Sequence, residues 1–303
     1  MRRLAPLCLA LAAALLGCSS GSGPSEGGAP AGSSKTPVTS SGSAAKPQVT
    51  FGERLPIARY SYTADESAVI ESAQQVLTKR CLRTYGITYE PAKREAETST
   101  SADRRYGLSS ASEAARLGYH PDLGPLPAGP DLPEDALRVF YGNRGAEPGT
   151  AEKVVYKGRE VPRNGCFGQS VAQLAKKYDA PEAAEIARAI STQSYKDSLT
   201  EPKVKEVFRN WSACMRSSGF RYTTPLEPAN NREFQREDIS TKEKETARAD
   251  VRCKEKTDLL DIWFKAESAL QKAEIDKNSK PLKELLTAHR KKTEAARRIV
   301  AEG

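Results

Sequence analysis

The side chains with the most chemistry to offer in this 303-residue chain are six cysteines and two histidines. Cys81, Cys166, Cys214 and Cys253 stand far apart, without the close C-x-x-C spacing of a zinc ligand pair and without a neighbouring histidine. They are not spaced to hold a metal. A hydrolase needs a base beside a nucleophile, and His120 and His289 are the only imidazoles available. His289 lies in the basic stretch Thr287 to Lys292, where a solvated side chain is the plain reading. His120 lies in Gly118-Tyr119-His120-Pro121, a setting that suits a turn histidine bonded to backbone. There is no Gly-x-Ser-x-Gly elbow, no His-Glu-x-x-His pair and no glycine-rich phosphate loop. No catalytic residue, metal or cofactor is therefore assigned from the sequence.

Arg2 and Arg3 precede an apolar run from Leu4 to Leu16, the charged and apolar regions of an export signal. At roughly thirteen residues the run falls short of the ~20 a membrane-spanning helix needs. It closes on Leu15-Leu16-Gly17-Cys18, which resembles the lipobox of bacterial lipoproteins. The resemblance implies that residues 1–17 are a signal peptide, that Cys18 is diacylated on its sulfur, and that the chain sits lipid-anchored on the extracytoplasmic face of the cell membrane. An ordinary secretory signal is the alternative. Cys8 leaves with the signal, and four cysteines in an oxidising compartment read as two disulfides.

From Ser19 to about Pro47 the chain is nearly all Ser, Gly, Pro and Ala. Such a composition cannot bury a core, so residues 18–50 read as the lipidated cysteine and a disordered tether with a mean reach of about 30 Å. Residues 51–303 then read as a mainly α, disulfide-stapled domain. Thr63 with Glu66, Ser110 with Glu113 and Ser240 with Glu243 have capping-box spacing. Apolar residues recur at helical period behind them. Pro133 opens a brief helix to Tyr141, and Val207, Phe208, Trp211 and Met215 line one face of another. The third capping box begins a long helix carrying Ala247, Val251, Leu259, Trp263 and Leu270, which must kink or restart near Pro281. The only β signal is a small hairpin, Val154 to Tyr156 and Arg159 to Val161 around Lys157-Gly158.

Two segments match: Cys81-Leu82-Arg83-Thr84-Tyr85-Gly86-Ile87-Thr88-Tyr89 and Cys214-Met215-Arg216-Ser217-Ser218-Gly219-Phe220-Arg221-Tyr222. Both read C-[LM]-R-x-x-G-[IF]-x-Y. Helix capping accounts for the Gly and Arg, but not for the shared Cys and Tyr. An internal duplication, with halves 51–199 and 200–303, explains all four. If the halves are related, each closes its own bridge, Cys81 to Cys166 and Cys214 to Cys253; the other two connectivities stay open. Loops of roughly 86 and 40 residues would contribute roughly 4 to 5 kcal/mol each.

Together with the lipobox and the tether, Arg104-Arg105-Tyr106-Gly107, Ala115-Arg116-Leu117-Gly118-Tyr119-His120, Gly165-Cys166, Trp211-x-x-Cys214-Met215 and Val251-x-Cys253 resemble an uncharacterised family of actinobacterial secreted lipoproteins. The resemblance covers the folded part nearly end to end and implies no activity.

The formal charge is +8, a mild excess in which both signs alternate, as in Lys242, Glu243, Lys244, Glu245 and Arg248, Asp250, Arg252. Such mixing reads as solvated helix faces and not as a nucleic-acid track. Acid pairs such as Glu182 with Glu185 and Asp258 with Asp261 read likewise, although a cell-wall hydrolase using a carboxylate pair stays open as an alternative. The favoured reading is a noncatalytic envelope module whose partners are the membrane, through Cys18, and a wall polymer or another envelope protein. Tyr106, Tyr119, His120 and Tyr141, aromatic residues near the proline- and glycine-rich stretch, are the candidate binding surface, in preference to the long C-terminal helix.

Overall fold

In the computed structural model the described residues are 50–91, 104–122, 129–143 and 153–303. The signal peptide, Cys18 and the tether lie outside them. The amphipathic segments become ten α-helices among the described residues, joined by short 3₁₀ turns, and 69 % of the described residues are helical. A four-residue helix α1 (Phe51–Arg54) and a 3₁₀ turn (Pro56–Tyr60) lead into α2 (Ala64–Thr84). Thr63 and Glu66 form the expected reciprocal capping box there. Short helices α3 (Ala111–Leu117) and α4 (Glu134–Tyr141) follow, then the hairpin β1 (Val155–Tyr156) and β2 (Arg159–Glu160). Its register pairs Val155 with Glu160 and Tyr156 with Arg159, and both turn residues, Lys157 and Gly158, have positive φ. That is the turn geometry whose twist matches a two-stranded ribbon. Helices α5 (Gly165–Tyr178), α6 (Pro181–Ser198) and α7 (Pro202–Ser217) complete the middle of the chain.

The expected long helix after Ser240 is three helices: α8 (Thr241–Lys256), α9 (Leu259–Lys277) and α10 (Ser279–Ala301). The first break falls at Asp258, whose φ is 52°. Aspartate tolerates this left-handed conformation better than most residues. Apolar periodicity runs through the break unchanged, but the two sides serve different cores. Ala247 and Val251 pack with Tyr119 and Phe234, whereas Leu259 and Trp263 pack with Trp211, Phe208 and Met215. The second break, at Asn278, lets the helix restart; Pro281 falls in the first turn of α10, where its missing N–H is not needed.

Both disulfides join the cysteines expected from the repeat, with Cα separations of 5.5 Å for Cys81–Cys166 and 5.6 Å for Cys214–Cys253. The two repeated segments form the same helix end. The Ile87 amide donates to the Leu82 carbonyl at 3.1 Å, the Phe220 amide to the Met215 carbonyl at 2.9 Å, and Gly86 and Gly219 take positive φ between them. This is the Schellman arrangement, in which glycine avoids the cost of a Cβ in the left-handed region. Beyond that end the likeness stops. Thr78 bonds Ser170 and Cys81 joins Cys166, so α2 and α5 run antiparallel. Trp211 bonds Asp250 and Cys214 joins Cys253, so α7 and α8 run in the same direction.

The halves also share their cores. Helix α10 packs along α2 and α5, α3 packs on α8, and Leu282 and Leu285 meet Leu55, Ile57 and Ile190. The described residues therefore belong to one compact unit.

Candidate functional site

The charges of α8 that the sequence suggests are solvated include Glu243 and Asp250, and both are buried, as is Lys254 on the same helix. Their spacing, with Thr246, Ala247 and Cys253, repeats every three or four residues and so forms the inward stripe of the helix. Ser240 caps α8 by accepting from the Glu243 amide at 3.1 Å, but the Glu243 side chain does not return to the cap. Its Oε1 instead accepts from the Tyr119 amide at 2.8 Å and lies 3.0 Å from His120 Nδ1. Gly118, with φ 59°, makes this approach feasible, because a Cβ there would collide with the carboxylate. His120 Nε2 lies 2.8 Å from the Arg236 carbonyl, which can only accept, so that nitrogen carries a proton. Seven residues on, Asp250 accepts from Trp211 Nε1 at 3.0 Å, Tyr119 Oη at 3.3 Å and Lys254 Nζ at 3.0 Å. Lys254 also donates to the Leu108 carbonyl at 2.8 Å. Burial drives the Asp250 carboxyl upward, against the pull of Lys254, Trp211 and Tyr119.

A second network surrounds Glu267 of α9, which is wholly buried. Arg105 forms an ion pair with it, Tyr106 Oη donates to Oε2 at 2.8 Å, and Gln271 Nε2 and Ser194 Oγ donate to Oε1 at 2.9 and 3.3 Å. Gln271 accepts in turn from the Ile57 amide at 3.0 Å, and Arg105 donates to the Ser191 carbonyl at 2.7 Å. One carboxylate thus ties together the 3₁₀ turn before α2, the Arg104–Gly107 segment, α6 and α9.

These contacts correct the expected binding surface. Tyr106 is 1 % exposed, in the core with Trp211 and Trp263, and Tyr119 is 8 % exposed, stacked on Phe234. Their rings fill space under neighbouring helices while their hydroxyls serve buried carboxylates. Tyr141 is half-buried in a third cluster, against Phe140 near the first disulfide. His120 is partly exposed, yet both ring nitrogens are engaged. The four residues do not form a common surface. The carboxylates of Asp250 and Glu267 are engaged by internal donors, while Glu243 Oε2 is buried without a hydrogen-bond partner. Among the described residues no group of three His, Cys, Asp or Glu could hold a metal ion.

The two histidines differ in a way that can be measured. Burial disfavours the His120 cation, but the Arg236 carbonyl and Glu243 outweigh it and raise its pKa. His289 stacks on Tyr62 with ring centres 3.9 Å apart, and burial lowers its pKa. In a proton NMR titration one imidazole should therefore titrate above, and the other below, the ordinary value of about 6.5. The signs for stability oppose each other as well. The His120 contribution is complete below its unfolded pKa and lost as pH rises through its folded one, and that of His289 is complete above its unfolded pKa and lost as pH falls through its folded one. Two coincident titrations near the ordinary value would show that neither environment holds in solution.

Open, chemically distinctive surface collects elsewhere, in a groove of about 590 Å³ between the end of α5 and the first half of α10. Lys177, Tyr178, Lys280, Lys283, Thr287 and Lys291 line it, with Glu284 the acid in the lining. Its lysines come from two helices about a hundred residues apart, so no local charge run marks the cluster in the sequence. No known protein family, curated protein or solved structure matches the chain.

Proposed function

We propose that this chain is a lipid-anchored extracytoplasmic protein, held to the cell membrane through Cys18, whose helical domain is a noncatalytic binding module of the envelope. The observation that carries the reading is the pairing of Cys81 with Cys166 and Cys214 with Cys253, which engages every cysteine outside residues 1–18. Two such bridges suit an oxidising compartment, which is where an Arg-led apolar segment ending in Leu-Leu-Gly-Cys would deliver the domain. The saturation of Glu267, Asp250 and His120 by internal partners supports binding over turnover. No helix among the described residues is long and apolar enough to cross a membrane, so attachment is assigned to the acyl chains. Since one short acyl chain binds a bilayer only marginally, a diacylated sulfur gives the stable anchor.

Metabolic labelling with palmitate tests the anchor. The wild-type chain should carry label and sediment with membranes, and Cys18→Ser should lose the label and remain unprocessed. Alkylation of protein taken from intact cells should find no free thiol at Cys81, Cys166, Cys214 or Cys253. An unlabelled wild-type chain with free thiols at these positions would overturn the assignment.

A further inference from the structure

We infer that the groove between α5 and α10 binds a linear chain carrying repeated phosphate groups, which names a ligand class for the envelope module proposed above. Three observations converge on one face. Lys280, Lys283, Thr287 and Lys291 recur along α10 at helical spacing, and Lys177 closes the groove from α5. At ~1.5 Å per residue the cations of α10 extend over about 16 Å, too far for one small anion and well suited to an extended one.

The lysines are also uncommitted. Among the described residues none of the four forms an ion pair, and the nearby acid Asp179, just past the end of α5, is held by Lys292 at 2.7 Å. Lys280, Lys283 and Lys291 are exposed, as is Lys177, whose ammonium rests over the Tyr178 ring at 5.4 Å, so the α10 ammonium groups reach a ligand without giving up an ion pair. Glu284 is the lone opposing charge in the lining.

The 23-residue helix α10 also begins at this groove without a side-chain cap on its first turn. Ser279 and Lys280, the first two residues of α10, line the wall, so the positive end of its dipole lies at the groove. Tyr178 and Ser279 supply hydroxyl donors for phosphate oxygens, whereas the Thr287 hydroxyl donates to the Lys283 carbonyl at 2.9 Å. A concave site favours a chain that can lie inside it over the plane of a bilayer, whose headgroups would meet only the rim.

The test is equilibrium binding of the full chain, purified from membranes in neutral detergent, to fluorescent linear polyphosphate. Replacing Lys280, Lys283 and Lys291 together by Gln should weaken binding by about tenfold or more, with the wild-type affinity itself falling as salt rises. Replacing exposed Lys203, Lys205 and Lys265 removes the same charge from α7 and α9 and should change affinity by no more than about twofold. Equal losses in the two triple variants would mean that net charge attracts the polymer and would overturn the groove. Equal competition by orthophosphate at matched phosphate concentration would overturn the extended ligand. Binding to phosphatidylglycerol vesicles that depends on the three groove lysines, without polyphosphate binding, would replace it with a membrane surface. Each result is independent of palmitate labelling, so the anchor and the groove can fail separately.

Discussion

Replacing Cys81 and Cys166 together by alanine should lower the free energy of unfolding by roughly 4.5 kcal/mol, and replacing Cys214 and Cys253 by roughly 4 kcal/mol. The bridges close chain separations of 85 and 39 residues, and the entropy removed from the unfolded chain grows only with the logarithm of that length. A domain of ordinary stability, ~5 to 15 kcal/mol, would lose about a quarter or more of it through either pair. Removing the first bridge should also loosen the hairpin and α4, whose side chains cluster on Cys166, Leu82 and Phe140. Urea unfolding of the two double variants, with the change in slope recorded, checks both values. A loss below about 1 kcal/mol for either pair would show that the unfolded chain gains nothing from its release and would remove the entropic account.

What the sequence disclosed was local chemistry. Capping spacings, glycine stops and apolar faces are each written within a dozen residues, and Thr63 with Glu66 or Trp211 with Met215 stand where that logic puts them. The break at Asp258 was not legible, because apolar period passes through it and a single aspartate in the left-handed region carries no strong signal. What decides it is tertiary: α8 must carry Cys253 to Cys214 while α9 carries Trp263 between α6 and α7. The repeat is legible as helix-end chemistry. Its helix ends coincide to the hydrogen bond, but the helices they are stapled to run in opposite senses.

The buried charges were misjudged for a related reason. Composition cannot separate Glu243 and Asp250 from Lys242, Glu245 and Arg248, which stay nearer the surface. The period could have done so. Glu243, Ala247, Asp250 and Lys254 lie at steps of three and four, the interval at which apolar residues were being counted, and a polar residue in such a stripe signals a partner on another element. The partners, Tyr119 and His120, come from a segment more than a hundred residues earlier. In the same way two of the three expected capping boxes are only half made. Glu113 goes to Arg104 at 2.9 Å and Glu243 to His120, because a paired buried position offers these carboxylates more than the cap does.

Substituting Glu267 by Ala should cost about 3 to 5 kcal/mol, the range for removing one partner of a buried ion pair. The carboxylate is a common acceptor for Arg105, Tyr106, Ser194 and Gln271, so its loss leaves several donors in a dry site with an acceptor missing. Tyr106→Phe deletes one of those donors and keeps the ring against Trp263, which sets its expected cost near 1 kcal/mol. A double substitution distinguishes a pair from a hub. If Glu267 served Arg105 alone, replacing the two together by Leu and Met would recover nearly all the stability lost by the single change, as exchange of a buried ion pair for apolar residues often does. With Tyr106, Ser194 and Gln271 still addressing the same position, the double variant should instead remain at least about 2 kcal/mol below wild type in chemical unfolding. Full recovery would reduce the network to one ion pair. Retained loss would identify Glu267 as the acceptor that holds the Arg104–Gly107 segment and the turn before α2 onto α6 and α9.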